Sequence, residues 1–456
     1  MNEQTPSDLL NSAPPAPATP WGYGLRESVT DQLGFFHGLV QRYGDVVHWR
    51  SGLLDLYLIN HPDDLKKILS AGSDRFPKDT LDYRILEVSL GQGLVTNDGA
   101  AWARQRKLMQ PMFHNRAINP FDAPINQLTD ALASRWENAA PGEVVWVDRD
   151  MGRLTFEIVG MTLFGTDIER HADAVAETLE VINVPTHELK SLLLLWPWLP
   201  LPHTLRVKAA VRKLDSIVYE LIDQRRRHGS EREDILDRLL AARDEDDGQG
   251  MSEQQIRDEV VTMLLAGHET SSNALAWTFY LLSKHPDVEA QLLEELQREL
   301  GGRPAVSADL PRLPYLKQVV QESMRVLPPV WAIARRSARD EVFGGYHVPA
   351  GSYLMISQWT LHRHEEFWPD PERFDPDRFN PQRTDSRHSY CYLPFAAGPR
   401  TCIGASMAML EIQLVLANLL QRFRFEVAPG HRIEPSARVT LKPKYGMPMR
   451  ITRRAR

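Results

Sequence analysis

The sequence is poor in cysteine, in clustered positive charge and in long apolar runs. It has 456 residues with a formal net charge of −7, and its only cysteines are Cys391 and Cys402. Two cysteines argue against a disulfide framework and fit a reducing compartment. No stripe of Lys or Arg indicates a nucleic-acid partner. The most apolar segment, at 192–202, is broken by prolines and shorter than the roughly 20 residues of a membrane span. We therefore expect no transmembrane anchor and a cytoplasmic location.

The N-terminal segment differs in composition from the rest of the chain. Residues 1–20 are rich in Pro, Ala and Ser and lack a basic stretch followed by an apolar run, so they resemble neither a signal peptide nor an anchor. This composition predicts a disordered tail. Length alone favours about three domains, at about 150 residues each. Because no linker or repeat interrupts the remainder, residues 21–456 are predicted to form one large domain.

Helical patterns dominate, with a small and scattered strand content. Alternating and β-branched residues at 45–60 predict a hairpin, and His61-Pro62 predicts the start of a helix. Amphipathic helices are expected across 120–245, and strands at 346–357 and 438–451. The fold class predicted is mainly α with a small β portion.

One predicted helix is unusual because polar residues interrupt an apolar centre. Residues 252–284 contain no proline and are apolar on nearly every side, which is typical of a buried helix. The polar residues at 267–273 lie in its middle. Since an unpartnered buried polar group costs about 1–3 kcal/mol, these residues are either satisfied internally or retained for chemistry.

The segment around Cys402 carries the most chemical information. Gly398 and Gly404 permit a tight turn and close approach of the backbone to a flat ligand, and Arg400 places a cation two residues before the sulfur. A helix is predicted over 405–423, and a helix N-terminus favours a thiolate. The alternative is a buried structural cysteine, which is common for Cys in general.

Residues 395–404, FAAGPRTCIG, resemble the haem-binding signature F-x-x-G-x-R-x-C-x-G of the cytochrome P-450 family at every defined position. The resemblance implies that Cys402 is the axial thiolate ligand of the iron of haem b, with Phe395, Gly398 and Arg400 in the cofactor-binding loop. It also implies that the haem lies between the long central helix and the helix that follows the Cys402 loop.

A second motif lies on the central helix. Residues 266–270, AGHET, resemble the A-G-x-E/D-T motif of the same family. The hydroxyl of Thr270 can bond to the carbonyl of Ala266 four residues earlier. Gly267 is interpreted as leaving room for dioxygen above the haem, and Glu269 and Thr270 as a catalytic acid–alcohol pair that relays protons. A zinc-protease site is excluded because the second histidine of H-E-x-x-H is absent.

Further matches assign scaffold and propionate-binding residues. Glu322 and Arg325 resemble the family's E-x-x-R pair, which a downstream arginine joins in a structural triad. Arg378 is preferred for that place over Arg373 because of its distance from Cys402 in the sequence. Trp102 and Arg106 resemble the W-x-x-x-R motif that meets the haem propionates, and they share a helix face. Arg335 is expected to bind a propionate too, in preference to Arg336, although surface arginines are the simpler interpretation.

The resemblance also implies a substrate pocket. The loop at 91–96 resembles the segment that places a side chain over the haem. The expected lining residues are mostly apolar: Leu94, Val95, Ala266, Val330, Trp331 and Ala332.

Together these residues predict a haem-dependent monooxygenase that hydroxylates or epoxidises a hydrophobic molecule such as a fatty acid or terpenoid. A ferredoxin or flavodoxin with its reductase is expected to deliver electrons from NAD(P)H, and the chain is expected to be a monomer. Candidate docking cations on the Cys402 side are Arg104, Lys107, Arg383 and Arg387. The alternatives are a peroxide-driven peroxygenase or isomerase, which would not need the acid–alcohol pair, and a haem sensor, for which no output domain is visible.

Overall fold

The structure is a computed structural model of the 456-residue chain. It describes residues 13–17, 30–51, 54–138, 140, 142–165, 171, 175, 178, 181–182, 191, 193–196, 198–229, 234–244, 248–383 and 387–454. Most of the predicted tail at 1–20 therefore lies outside the described residues. Of its described part, Pro14 is buried and the carbonyl of Pro15 accepts a hydrogen bond from the His48 N–H at 3.2 Å.

Helices make up most of the described chain. In chain order they are α1 Gln32–Tyr43, α2 Pro62–Ser70, α3 Leu81–Leu90, α4 Gly99–Met109, α5 Asn115–Ile118, α6 Asp122–Glu137, α7 Val147–Phe164, α8 Pro202–His228, α9 Ile235–Ala241, α10 Glu253–Lys284, α11 Pro286–Leu300, α12 Pro314–Val326, α13 Gln358–Leu361 and α14 Ala405–Leu420.

The strands form small sheets rather than alternating with helices. They are β1 Val46–Ser51, β2 Leu54–Ile59, β3 Val144–Trp146, β4 Ile333–Arg336, β5 Glu341–Phe343, β6 Tyr346–Val348, β7 Tyr353–Ile356, β8 Phe423–Val427, β9 Pro435–Ala437, β10 Leu441–Pro443 and β11 Pro448–Arg453. The largest sheet has the order β1-β2-β7-β4, in which only β2 and β7 run parallel. Strands β3, β11 and β8 form a second sheet, and β5–β6 and β9–β10 are two-stranded. The mainly α prediction is confirmed.

The long central helix α10 organises the core. Ser252 caps its N-terminus and forms a capping box with Gln255, which satisfies free N–H groups of the first turn. The first half of α10 packs with α7, α8 and α9 in one apolar cluster, and the second half packs with α12 and α14 in another. Ile403, beside Cys402, packs against the first of these clusters, so the Cys402 loop meets the central helix.

Most predicted boundaries agree with the structure, and one differs. The hairpin at 45–60 corresponds to β1 and β2, and the helix start at Pro62 is confirmed. The helix after Cys402 ends at Leu420 rather than 423, because Phe423 begins strand β8 and pairs with Arg453 on β11. Among the described residues, no helix combines the length and apolar character that a membrane span requires.

Candidate active site

The Cys402 loop is held by short-range hydrogen bonds. The N–H of Cys402 donates to the carbonyl of Phe395 at 2.9 Å, and both the N–H and the hydroxyl of Thr401 donate to the carbonyl of Gly398, at 3.0 and 2.8 Å. Gly398 has φ +69°, and a side chain there would collide with the carbonyl of Leu69. Glycine is therefore required where the loop passes helix α2.

The sulfur of Cys402 has two partners that favour its charged form. The N–H of Gly404 bonds to it, and the guanidinium of Arg106 lies close enough to act on its charge. Burial has the larger effect and raises the pKa of Cys402, against the lowering by Gly404 and Arg106. The side chain of Cys402 is nevertheless exposed, so it lines a cleft rather than the hydrophobic core. Arg106 also donates to the carbonyl of Thr401 at 3.0 Å, which fixes the loop.

Four cations meet beside this loop. Three of them, Arg106, Arg335 and Arg400, were predicted from the sequence, and Lys78 was not. The pKa of Arg400 is lowered to about 10, chiefly by burial and also by the charges of Arg335 and Arg106, which the charge of Asp98 opposes. Burial, then the charges of Arg335 and Arg400, also lowers the pKa of Lys78 well below its usual value. Because these four cations repel one another, a ligand that carries two carboxylates would stabilise them.

The surroundings of these cations are mostly aromatic and polar neutral groups. The guanidinium of Arg400 stacks 3.6 Å from the ring centroid of Trp102 and is ion-paired with Asp98. Arg335 donates to the hydroxyl of Tyr83 at 3.3 Å, and the ammonium of Lys78 lies 4.8 Å from the ring centroid of Tyr83. A lone Lys in a loop gives no sequence signal, which explains why Lys78 was missed. Arg336, the rejected alternative to Arg335, is exposed and pairs with Asp79 at 3.2 Å.

The central helix presents the predicted threonine toward the cleft. The hydroxyl of Thr270 donates to the carbonyl of Ala266 at 2.6 Å, as predicted, and Ala266 is exposed despite its position in the middle of α10. Gly267 also has a packing role. A side chain there would lie 3.2 Å from Val159 on α7, so glycine allows close packing of two helices, and the room it was expected to leave above the haem stays a prediction.

Glu269 is bound to the C-terminal hairpin β9–β10. Lys442 lies 2.8 Å from its Oε1, and the hydroxyl of Thr440 donates to the same oxygen. Burial alone would raise the pKa of Glu269, but the charge of Lys442 and these hydrogen bonds outweigh burial and lower it. The sequence motif gave no indication of Lys442, which lies far along the chain. The neighbouring His268 points to α7, and burial lowers its pKa to about 4, so it is neutral at pH 7.

The predicted pocket residues divide into two groups. Val95, Val330 and Ala332 are partly accessible, as lining residues should be, and Leu94 is buried with 9% exposure. Trp331 differs from the prediction. It is buried against Phe36, with ring centroids 5.7 Å apart, and its indole N–H donates to the carbonyl of Arg438 at 2.8 Å. This hydrogen bond and ring contact place Trp331 in the core.

The structure brings Glu322, Arg325 and Arg378 together. Arg325 makes two hydrogen bonds to the Glu322 carboxylate, at 2.7 and 2.8 Å, and Arg378 Nε lies 3.4 Å from Glu322 Oε1. Glu322 and Arg325 are fully buried. Arg373, the rejected alternative, contributes its carbonyl, which accepts from Arg325 at 3.0 Å.

The four candidate docking cations are all engaged within the chain. Arg104 and Lys107 share Asp244, at 2.9 and 3.7 Å, and Arg383 lies 3.1 Å from Asp377. Arg387 is only partly exposed; its guanidinium lies 4.1 Å from the ring centroid of Trp368 and donates to the carbonyl of Arg378. Arg387 is therefore a structural residue rather than a free surface cation.

Fold and site together define a helical haem-thiolate protein. The sequence matches the cytochrome P-450 family over residues 13–448. It is 33% identical over 442 residues to cyclooctat-9-en-7-ol 5-monooxygenase of Streptomyces melanosporofaciens, which covers 94% of this chain and 95% of that protein. It is 33% identical over 429 residues to pentalenene oxygenase of Streptomyces avermitilis, with 92% of each chain covered. The crystal structure of the haem domain of cytochrome P-450DA superposes with a TM-score of 0.87 at 27% identity, over 98% of both chains.

The chain belongs to the cytochrome P-450 family, and it is a cytochrome P-450 monooxygenase, as predicted. The residues present suit the haem that the family implies. A thiol with an N–H and a guanidinium directed at its sulfur suits an iron ligand, and the four cations suit the two propionates. The exposed Ala266 and the partly exposed Thr270 supply a face of the cleft on the central helix.

Proposed function

We propose that the chain hydroxylates or epoxidises a hydrophobic cyclic terpenoid. Two similar proteins are named for such substrates, and the accessible lining at Val95, Ala266, Val330 and Ala332 is apolar. An apolar lining binds hydrocarbon by burial and offers few groups that would fix a polar substrate. The observation that carries the proposal is that Cys402, whose sulfur is approached by the Gly404 N–H and by Arg106, lines a cleft with apolar walls.

Cys402 would hold the haem iron, and Arg106, Arg335, Arg400 and Lys78 would bind the propionates, with Trp102 stacked on Arg400. Phe395 and Gly398 shape the loop under the ring. When bound, the haem supplies the dioxygen chemistry, in which one oxygen atom enters the substrate and the other leaves as water with two electrons and two protons.

Thr270 and Glu269 would handle the protons. Because the Thr270 hydroxyl gives its own proton to the Ala266 carbonyl, its lone pairs remain available to accept a hydrogen bond from the cleft. Glu269 Oε1 is held by Lys442, whose side chain is 36% exposed, and this contact connects the buried carboxylate with solvent. We infer that a proton enters at Glu269 and leaves toward the Thr270 oxygen.

Electrons would come from a ferredoxin or flavodoxin with its reductase, and ultimately from NAD(P)H. We further infer a cytoplasmic location, because Cys391 and Cys402 form no disulfide and suit a reducing compartment. The monomeric state stays a prediction.

The test is reconstitution of the purified haem protein with ferredoxin, reductase and NADPH under labelled dioxygen. Cyclic terpenes and fatty acids are first screened for a shift of the haem Soret band. We expect terpenes to give the larger shift and a product carrying one labelled oxygen atom. Product formed only with hydrogen peroxide would indicate a peroxygenase, and bound haem without any product would indicate a sensor.

A further inference from the structure

The loop at 91–97, which carries Leu94 and Val95, is fixed to the central helix by two consecutive acids. The N–H of Gln92 donates to Asp258 Oδ2 at 2.9 Å, and the N–H of Leu94 donates to Glu259 Oε2 at 3.2 Å. Gly91 and Gly93 make this approach possible, because a side chain at either position would collide with Asp258 or Thr262. The loop backbone therefore lies directly on helix α10.

The two acids have opposite surroundings. Asp258 is ion-paired with Arg257 at 2.9 Å and accepts a hydrogen bond from Gln254 at 2.8 Å. Glu259 is 0% exposed within an apolar cluster, and its Oε1 has no hydrogen-bond partner among the described residues. Within the described part of the chain, its carboxyl group interacts with the Leu94 N–H and is repelled by the charge of Asp258. Asp258 is thus a compensated charge, whereas no cation pairs with Glu259 in the part of the chain that the structure describes.

A buried acid without a cation keeps its proton. The pKa of Glu259 is raised to about 8, chiefly by burial and also by the charge of Asp258, and the hydrogen bond from the Leu94 N–H opposes this rise. At neutral pH one oxygen accepts from Leu94 while the group is uncharged. Above this pKa a full charge would lie beside Asp258 in apolar surroundings, and hydration of that charge requires the loop to separate from the helix.

We propose that Glu259 is a positioning residue that holds the Leu94–Val95 segment against the central helix while uncharged and releases it on ionisation, so that ligand affinity depends on this carboxyl group. The inference rests on the proposed function only in taking this segment as part of the substrate pocket. On its other side the segment is fixed by Lys78, whose ammonium donates to the carbonyl of Val95 at 2.9 Å. Loss of the Glu259 contact would free one side of the segment.

The direct test is hydrogen–deuterium exchange of the peptide covering 88–98 in the holoenzyme, corrected for the intrinsic pH dependence of exchange. In the wild type we expect protection to fall at least about tenfold as the pH rises from about 6 and to level off near pH 8, because a released Glu259 would ionise at a lower pH than the buried one. Glu259→Gln keeps an acceptor for Leu94 and should show no such fall. Glu259→Met keeps the volume without the acceptor and should exchange fast at every pH.

Asp258→Asn is the matched control. It weakens the neighbouring contact to Gln92 but leaves Glu259 titratable, so the fall in protection should persist and level off at a lower pH, because the repelling charge is removed. A wild type without this fall, or the same fall in Glu259→Gln, would overturn the proposal.

Affinity for 4-phenylimidazole, which ligates haem iron from the pocket side, supplies the second readout. Its dissociation constant should rise about tenfold over the same pH range in the wild type and stay constant in Glu259→Gln after correction for ionisation of the imidazole. Equal pH profiles for the two proteins would contradict the inference. Neither measurement requires turnover, so absence of monooxygenase activity would refute the proposed function while leaving this result intact.

Discussion

The two sides of the candidate haem site are built differently. The backbone turn of the Cys402 loop is closed by contacts within a few residues, such as the bond from the Cys402 N–H to the Phe395 carbonyl, and distant segments reach it through Arg106 and Arg400. The face on the central helix depends on distant segments. Glu259 meets Leu94 across 165 positions, Glu269 meets Thr440 across 171, and the His268 carbonyl meets Thr155 across 113.

This difference decides what a motif can reveal. A loop closed by its own backbone carries its geometry in ten consecutive residues, so residue types at fixed spacing suffice to recognise it. A face assembled from four segments can be recognised only once the fold is known, because each contributing residue is ordinary within its own segment. We expect substitutions in the Cys402 loop to abolish the cofactor site and substitutions on the central helix to change its chemistry by degrees.

The largest effect is expected for Cys402→Ala. The reduced carbon-monoxide complex should lose the red-shifted absorption typical of a thiolate ligand, because no other thiol reaches the site. Cys391→Ala is the control. Cys391 is 1% exposed, and burial raises its pKa to about 11, so it should remain a neutral core residue and the spectrum should not change. Loss of the band in Cys391→Ala but not in Cys402→Ala would show that Cys391 is the ligand.

The next largest effect concerns the buried triad of Glu322, Arg325 and Arg378. Glu322→Gln leaves the fully buried Arg325 without its anion, and removing one partner of a buried pair costs about 3–5 kcal/mol. The measurement is the free energy of unfolding in denaturant. Glu426→Gln, which removes the exposed pair with Arg424, should leave it unchanged. Equal losses in both variants would show that the buried pair is no more important than a surface one.

The features that depend on neighbouring residues were predicted from the sequence, and those that depend on contacts between distant segments were missed. The hairpin, the central helix, the Cys402 loop and the Thr270–Ala266 bond follow from periodicity and spacing. Lys78 and Lys442 were missed because a single lysine has no pattern. Trp331 was misinterpreted, and the contact of Gly267 with α7 was missed, for a related reason, since which neighbour a loop residue or a helix face meets depends on packing.

On the central helix, Thr270→Ala should alter coupling rather than cofactor binding. Product formation should fall by about 10²-fold while NADPH oxidation continues and peroxide accumulates, because the hydroxyl that passes the proton is missing. Thr162→Ala is matched, since the Thr162 hydroxyl makes the same type of bond to the Ile158 carbonyl at 2.7 Å on α7. Unchanged coupling in Thr270→Ala, or equal uncoupling in the control, would remove Thr270 from the mechanism.

The smallest effect tests the long-range contact of Glu269. Because the folded protein lowers the pKa of Glu269, the stabilisation it contributes is present above the unfolded pKa of about 4.3 and is lost as pH falls through the lower folded value. Lys442→Met should therefore destabilise the protein by about 1–3 kcal/mol at neutral pH, with the difference shrinking in acid as Glu269 is protonated in both proteins. Lys444→Met, which removes a partly exposed cation 3.8 Å from Glu434, is the control. A loss that persists in acid would mean that Lys442 stabilises the hairpin by packing instead of through the carboxylate, and the link between Glu269 and solvent would then need another route.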